Sequence, residues 1–194
     1  MALGRTHAVA LVGMRAHLVE VEAHLAASIP AFSLVGLPDA ALSEARDRVR
    51  AAVASAGLVW PNRRITVNLS PATLPKSGSG FDLAVAVAVL AGSGLVDAER
   101  VAPVVHLGEL GLDGRLRPVR GVLPAVAGAV AAGRTRVVVP AGNADEARLV
   151  PGADVRAAEH LAQVAAWYGA EVEVPDEVLP VLAAPTPTVR AGEA

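Results

Sequence analysis

Apolar and polar residues alternate through the first third of the chain, the period-two signature of half-buried strands. Val19, Val21 and Ala23 alternate with Glu20, Glu22 and His24, and residues 7–12 and 32–35 read as neighbouring strands. Gly36-Leu37-Pro38-Asp39 breaks this pattern. Asp39 is placed to cap a helix with apolar positions Leu42, Ala45, Val49, Ala52, Val53 and Ala56, ended by Gly57. Trp60-Pro61-Asn62 is a turn, and residues 63–69 alternate again as a strand. The apolar run over 81–91 fits either period; its length, its alanines and the Gly/Ser loop before it favour a buried helix. Residues 104–110 and 115–119 flank Asp113-Gly114, a hairpin signal. A helix over 121–132, a strand over 136–139 and helices over 143–149 and 161–168 complete the pattern. This mixture predicts an α+β domain over 1–174, a mixed sheet with helices packed on one face. Pro180, Pro185 and Pro187, with little core material around them, predict a linker over 175–194.

Composition narrows the function classes. A chain of 194 residues, 53% of them hydrophobic, can bury a sizeable core. Its longest apolar run, 83–91, falls well short of the roughly 18 residues a membrane span needs, so no membrane is expected. The absence of cysteine excludes disulfides and thiolate metal sites, and the cytoplasm is the expected compartment. A net charge of -2 gives no global pull toward nucleic acid, so such binding must come from a local patch.

The segment Leu74-Pro75-Lys76-Ser77-Gly78-Ser79-Gly80-Phe81-Asp82-Leu83 sets the only lysine of the chain at the mouth of the buried helix. It is not a phosphate-binding P-loop, because Lys76-Ser77 precedes the glycines instead of following them. The five histidines are scattered without a zinc-hydrolase spacing. Three uses of the segment remain open. Amides near Ser79 and Gly80 at a helix start can hold an anion beside Lys76. Ser77 or Ser79 can act as a nucleophile if a lysine base reaches it. Otherwise the glycines permit a tight helix entry and Lys76 is solvated. Arg115, Arg117 and Arg120 form a local basic strip, and Arg46 and Arg50 share the outer face of the first long helix.

Several segments together resemble one family closely: Phe32-Ser33-Leu34-Val35-Gly36-Leu37-Pro38, Glu44-Ala45-Arg46-Asp47-Arg48-Val49-Arg50, Ile65-Thr66-Val67-Asn68-Leu69-Ser70-Pro71-Ala72, Leu74-Pro75-Lys76 through Phe81-Asp82-Leu83, and Gly108-Glu109-Leu110. The chain resembles the N-terminal domain, often labelled ChlI, of the YifB/ComM family of magnesium-chelatase-like AAA+ ATPases. The resemblance covers residues 3–170. It implies a Lon-protease-like fold shared with the second domain of a ribosomal small-subunit protein. It also implies a parent whose ATP and Mg belong to a following AAA+ module, toward which the linker would lead. ComM-type members resemble hexameric helicases that migrate DNA branches during natural transformation.

Lon's motif, Pro-Lys-Asp-Gly-Pro-Ser-Ala-Gly, places the nucleophile position at Gly80. Its later Gly-Gly-Leu-Lys segment falls on Arg120-Gly121-Val122-Leu123, with Leu123 where the catalytic lysine belongs. The resemblance thus implies a domain without peptidase activity and without a cofactor of its own, in a parent that forms a homo-oligomeric ring. DNA is the expected partner, with Lys76, Ser79, Gly80, Arg63, Arg64, Arg115, Arg117 and Arg120 as candidate contacts. The alternatives are a Lon-like serine peptidase or peptide-binding module, and a purely structural assembly domain.

Overall fold

The computed structural model describes residues 2–176. Strands β1 (Ala2–Val12), β2 (Arg15–Ala26) and β3 (Ala31–Val35) precede helices α1 (Ala40–Ser43) and α2 (Ala45–Ser55). Next come β4 (Arg64–Ser70), α3 (Asp82–Ser93), α4 (Ala98–Val101) and β5 (Val105–His106). After β6 (Glu109–Leu110) and β7 (Leu116–Arg117), the described chain ends with α5 (Val122–Ala131), β8 (Arg136–Pro140), α6 (Ala144–Arg148), β9 (Asp154–Ala158) and α7 (Leu161–Trp167). The predicted linker over 175–194 lies outside the described residues except for 175 and 176.

A seven-stranded mixed sheet has the order β3-β4-β2-β1-β5-β8-β9, and β6 and β7 form a separate hairpin. β1 and β2 pair antiparallel over their whole length, and β4 joins β2 antiparallel. The other neighbours, β3 with β4 and then β1, β5, β8 and β9 in succession, are parallel. The α+β reading holds, but helices cover both faces of the sheet instead of one. Ala8 and Ala10 of β1 enter a large core with α2, α3 and α7, while Val9 between them enters a second core with α5 and α6. Parallel strands need crossover connections. With α3 occupying one face, the connections leading to β8 and β9 place α5 and α6 on the other.

Helix α3 is buried on every side from Asp82 to Gly92, the state expected of a helix with no polar face. It settles directly onto β1 because Gly4 has no side chain: a Cβ there would lie 2.0 Å from the Ala88 carbonyl oxygen. The single helix expected after Asp39 is two segments. Asp39 Oδ1 caps α1 by accepting from the Leu42 amide at 2.8 Å, and at the break Arg48 Nη2 donates to the Ala41 carbonyl at 2.9 Å. The strand expected over 104–110 also divides. Gly108 turns it away from the sheet, accepting from the Leu83 amide and donating to the Gly80 carbonyl, each at 3.1 Å. The stretch after Gly108 is thereby docked against the entrance of α3. No helix among the described residues is long and apolar enough to cross a membrane.

Candidate functional site

Lys76 is not at the surface. It is 1% exposed, and its ammonium donates to the carbonyls of Gly36 at 2.7 Å, of Leu69 at 3.0 Å and of Pro71. Its backbone is tied in as well, donating to Leu37 O and accepting from the Asp39 amide. An ammonium has three protons, and all three are used. Burial lowers its pKa. The expectation that Lys76 contacts DNA or an anion is therefore overturned. The reason is that the carbonyls at the ends of β3 and β4 converge on the loop that carries the lysine.

The loop after Lys76 borders a cleft of about 440 Å³ near the carboxyl ends of β1 and β5, a common position for ligand sites in sheets with parallel strands. Ser77, Ser79 and Gly80 line one side, Arg120 and the start of α5 the other, and Val9, Leu11 and Leu107 form apolar wall. Ser79 Oγ donates to Glu109 Oε2. Leu123 is exposed on the first turn of α5 and its amide donates to Glu146 Oε1 at 3.0 Å. Below the loop, Arg48 holds Asp82 with two hydrogen bonds, Nε to Oδ2 at 2.7 Å and Nη2 to Oδ1 at 3.0 Å. Asp82 also accepts from the Leu110 amide at 3.2 Å. Burial pushes the Asp82 carboxyl above its ordinary value against the opposing pull of Arg48, while Arg48 itself is raised by that bond.

This geometry decides what the cleft can do. Ser79 faces a carboxylate instead of a lysine, since the amine of Lys76 is committed to carbonyls. Glu109 and Asp82 bring negative charge to the start of α3, which disfavours an anion at Ser79 and Gly80. Among the described residues no three His, Asp or Glu side chains gather as a metal site.

The predicted arginines do not form one surface. Arg120 lines the cleft; Arg117 lines a neighbouring hollow with Glu44, Asp47 and Glu109; Arg115 lies 3.5 Å from Asp113. Arg63 belongs to another place, a hollow shared with Arg46, Arg50, Phe32, Trp60 and Asn62. Among the described residues no carboxylate lines it, and the Phe32 and Trp60 rings stand 6.1 Å apart in a tilted pair. Arg64, exposed at the start of β4, is next to it in sequence. Six residue steps of β4 separate Arg64 from the Lys76 cage at Ser70, about 20 Å at strand rise. Arg48 also lies 3.6 Å from Glu44, one helical turn earlier, a contact secondary to that with Asp82. Neither Asp82 as the partner of Arg48 nor Glu109 as the partner of Ser79 was read, because these pairs span 34 and 30 residues.

Residues 21–143 match the family described as subunit ChlI of Mg-chelatase. The chain belongs to the ChlI family. It is 54% identical over 167 residues to an uncharacterized protein of Mycobacterium tuberculosis, a match covering 86% of this chain and 33% of that protein. It is 40% identical over 175 residues to the competence protein ComM of Haemophilus influenzae, covering 90% of this chain and 34% of ComM. To the Escherichia coli protein YifB it is 39% identical over 167 residues, covering 86% and 33% respectively. This ChlI-family chain thus spans about a third of the length of the curated relatives it matches. The resemblance to the YifB/ComM group of magnesium-chelatase-like proteins is borne out.

Proposed function

We propose that this ChlI-family chain is a non-catalytic, Lon-like N-terminal domain of a DNA-processing AAA+ ATPase, and that it contacts DNA through the Trp60 face. The observation that carries this reading is the hollow of Arg46, Arg50 and Arg63 around the Phe32–Trp60 pair, with no carboxylate in its lining among the described residues. Arg50, Arg63 and Arg64 have no ion pair among the described residues, and Arg46 has only the sequence neighbour Asp47 at 3.8 Å. Guanidinium groups attract phosphates, and a half-exposed indole offers a base a stacking surface; such stacking contributes about 1–3 kcal/mol per base. The strip at Arg115 and Arg117 is a weaker candidate because Asp113, Glu109, Glu44 and Asp47 offset its charge.

The relatives support the setting, one of them being named a competence protein. The ATPase, its nucleotide and Mg, and the homo-oligomeric ring belong to the parent in this reading, which places the protein in the cytoplasm. Against the peptidase alternative stands the commitment of Lys76 to three carbonyls. The test is titration of single-stranded and forked DNA at two salt concentrations. Contacts from Arg46, Arg50 and Arg63 give a log–log salt slope of about -2 for a single strand. A chain that binds neither DNA at low salt is the structural assembly domain instead.

A further inference from the structure

A second cleft, about 380 Å³, lies on the opposite edge of the molecule from β3, where α4, β8, β9 and the end of α7 meet. Three arginines from three elements line it: Arg100 of α4, Arg136 of β8 and Arg156 of β9. They share its wall with Tyr168, whose hydroxyl burial pushes up to about 12 against the opposing charges of Arg156, Arg100 and Arg136. Two of the side chains are held in place without using a carboxylate. Arg156 stacks over the Trp167 ring, 3.7 Å from its centroid, and Arg100 Nη2 donates to the Trp167 carbonyl at 2.5 Å. Arg136 makes no side-chain hydrogen bond or ion pair among the described residues. Tyr168 does not compete for an incoming anion, because its hydroxyl is turned inward and donates to His106 Nε2 at 2.9 Å.

Glu99 and Asp154 also line the cleft, and neither pairs with an arginine at ion-pair distance among the described residues. Three cations and two anions leave a net charge of +1 in the lining. That balance suits a compact group met by converging guanidinium forks. It disfavours an extended polyanion, which would run past both carboxylates. The volume falls within the 300–1,000 Å³ or so usual for small-molecule pockets.

We propose that this cleft binds the phosphate group of a small phosphorylated molecule of about mononucleotide size, independently of any DNA contact at Trp60. The test is titration of the 194-residue chain with inorganic phosphate, pyrophosphate and adenosine monophosphate, followed by calorimetry and by Trp167 emission in a Trp60→Phe background. Saturable binding of at least one of these, weakened tenfold or more by Arg136→Gln and unchanged by Arg63→Ala, is the expected result. Binding of phosphate and pyrophosphate alone assigns the site to a free phosphate; a tighter nucleotide assigns it to the nucleotide. No saturable binding of any of the three, equal binding of acetate, or binding indifferent to Arg136→Gln overturns the proposal. Arg136 is exposed at the start of β8 and makes no side-chain bond among the described residues, so its replacement leaves the fold intact; circular dichroism of the variant checks this directly.

Discussion

Lys76 places its ammonium 2.7 Å from the carbonyl oxygen of Gly36, forty residues earlier in the chain. The side chain thereby ties the loop before α3 to the ends of β3 and β4, where Leu69 and Pro71 supply the other two carbonyls. Lys76→Met fills much of the volume but removes the donor from all three. A buried polar group left unsatisfied costs about 1–3 kcal/mol, so a loss of about 2–4 kcal/mol is expected by denaturant unfolding. DNA affinity of the variant that remains folded is expected to be unchanged. Lost affinity at full stability would return Lys76 to the surface chemistry that its burial denies.

Arg48 and Asp82 form a pair whose halves are unequally buried, the Asp82 side chain at 0% exposure and Arg48 at 19%. Arg48→Met strands the carboxylate under the loop that carries Ser79. Breaking such a buried pair costs about 3–5 kcal/mol. Asp82 then keeps its proton to higher pH than in the native chain. A folded pKa raised above the unfolded value gives stability that is present at low pH and lost as pH rises through the folded pKa. The variant is therefore expected to regain melting temperature on acidification. A melting temperature with the same pH dependence as that of the native chain would show that Arg48 does not hold the carboxylate.

His106 carries the opposite pH signature. It is fully buried between Thr6 and Tyr168, and burial lowers its pKa from 6.5 to about 3. With the Thr6 hydroxyl donating to Val104 O, Nδ1–H donates to Thr6 Oγ1 and Nε2 accepts from Tyr168. The folded ring stays neutral while the unfolded chain takes up a proton below pH 6.5. Stability is therefore present above that pH and is lost as pH falls toward about 3. One such histidine contributes a slope of about 1.4 kcal/mol per pH unit inside the window. His7, whose pKa burial also lowers, adds to it with the same sign. Urea unfolding across this range in His106→Gln is expected to show a shallower acid slope; an unchanged slope would assign acid sensitivity to other groups.

Local pattern made much of the fold legible. The alternation at Val19, Val21 and Ala23 gave β2, Asp113-Gly114 gave the β6–β7 hairpin, and the all-apolar run gave α3. Two elements left too little signal. α4 is one turn behind the Asp97 cap, and β9 alternates over only five residues. The site was less legible for a different reason. A lysine among glycines and serines reads as exposed, and only the three-dimensional meeting of Gly36, Leu69 and Pro71 buries it. Arg63 was found from charge and family resemblance, but its neighbours Arg46, Arg50, Phe32 and Trp60 join it from two elements, α2 and β3, and the turn before β4. Arg100, Arg136 and Arg156 lie in segments that look ordinary in sequence and meet only at the sheet edge.

The claim that DNA lies on the Trp60 face has a direct optical test, because the chain contains only two tryptophans. In a Trp167→Phe background, Trp60 is the sole indole. Titrating a single-stranded oligonucleotide is expected to quench its emission saturably, in step with the anisotropy of a labelled strand, and Arg50→Ala with Arg63→Ala is expected to abolish both signals. DNA that binds by anisotropy while Trp60 emission stays constant, or binding that survives loss of both arginines, would contradict the account.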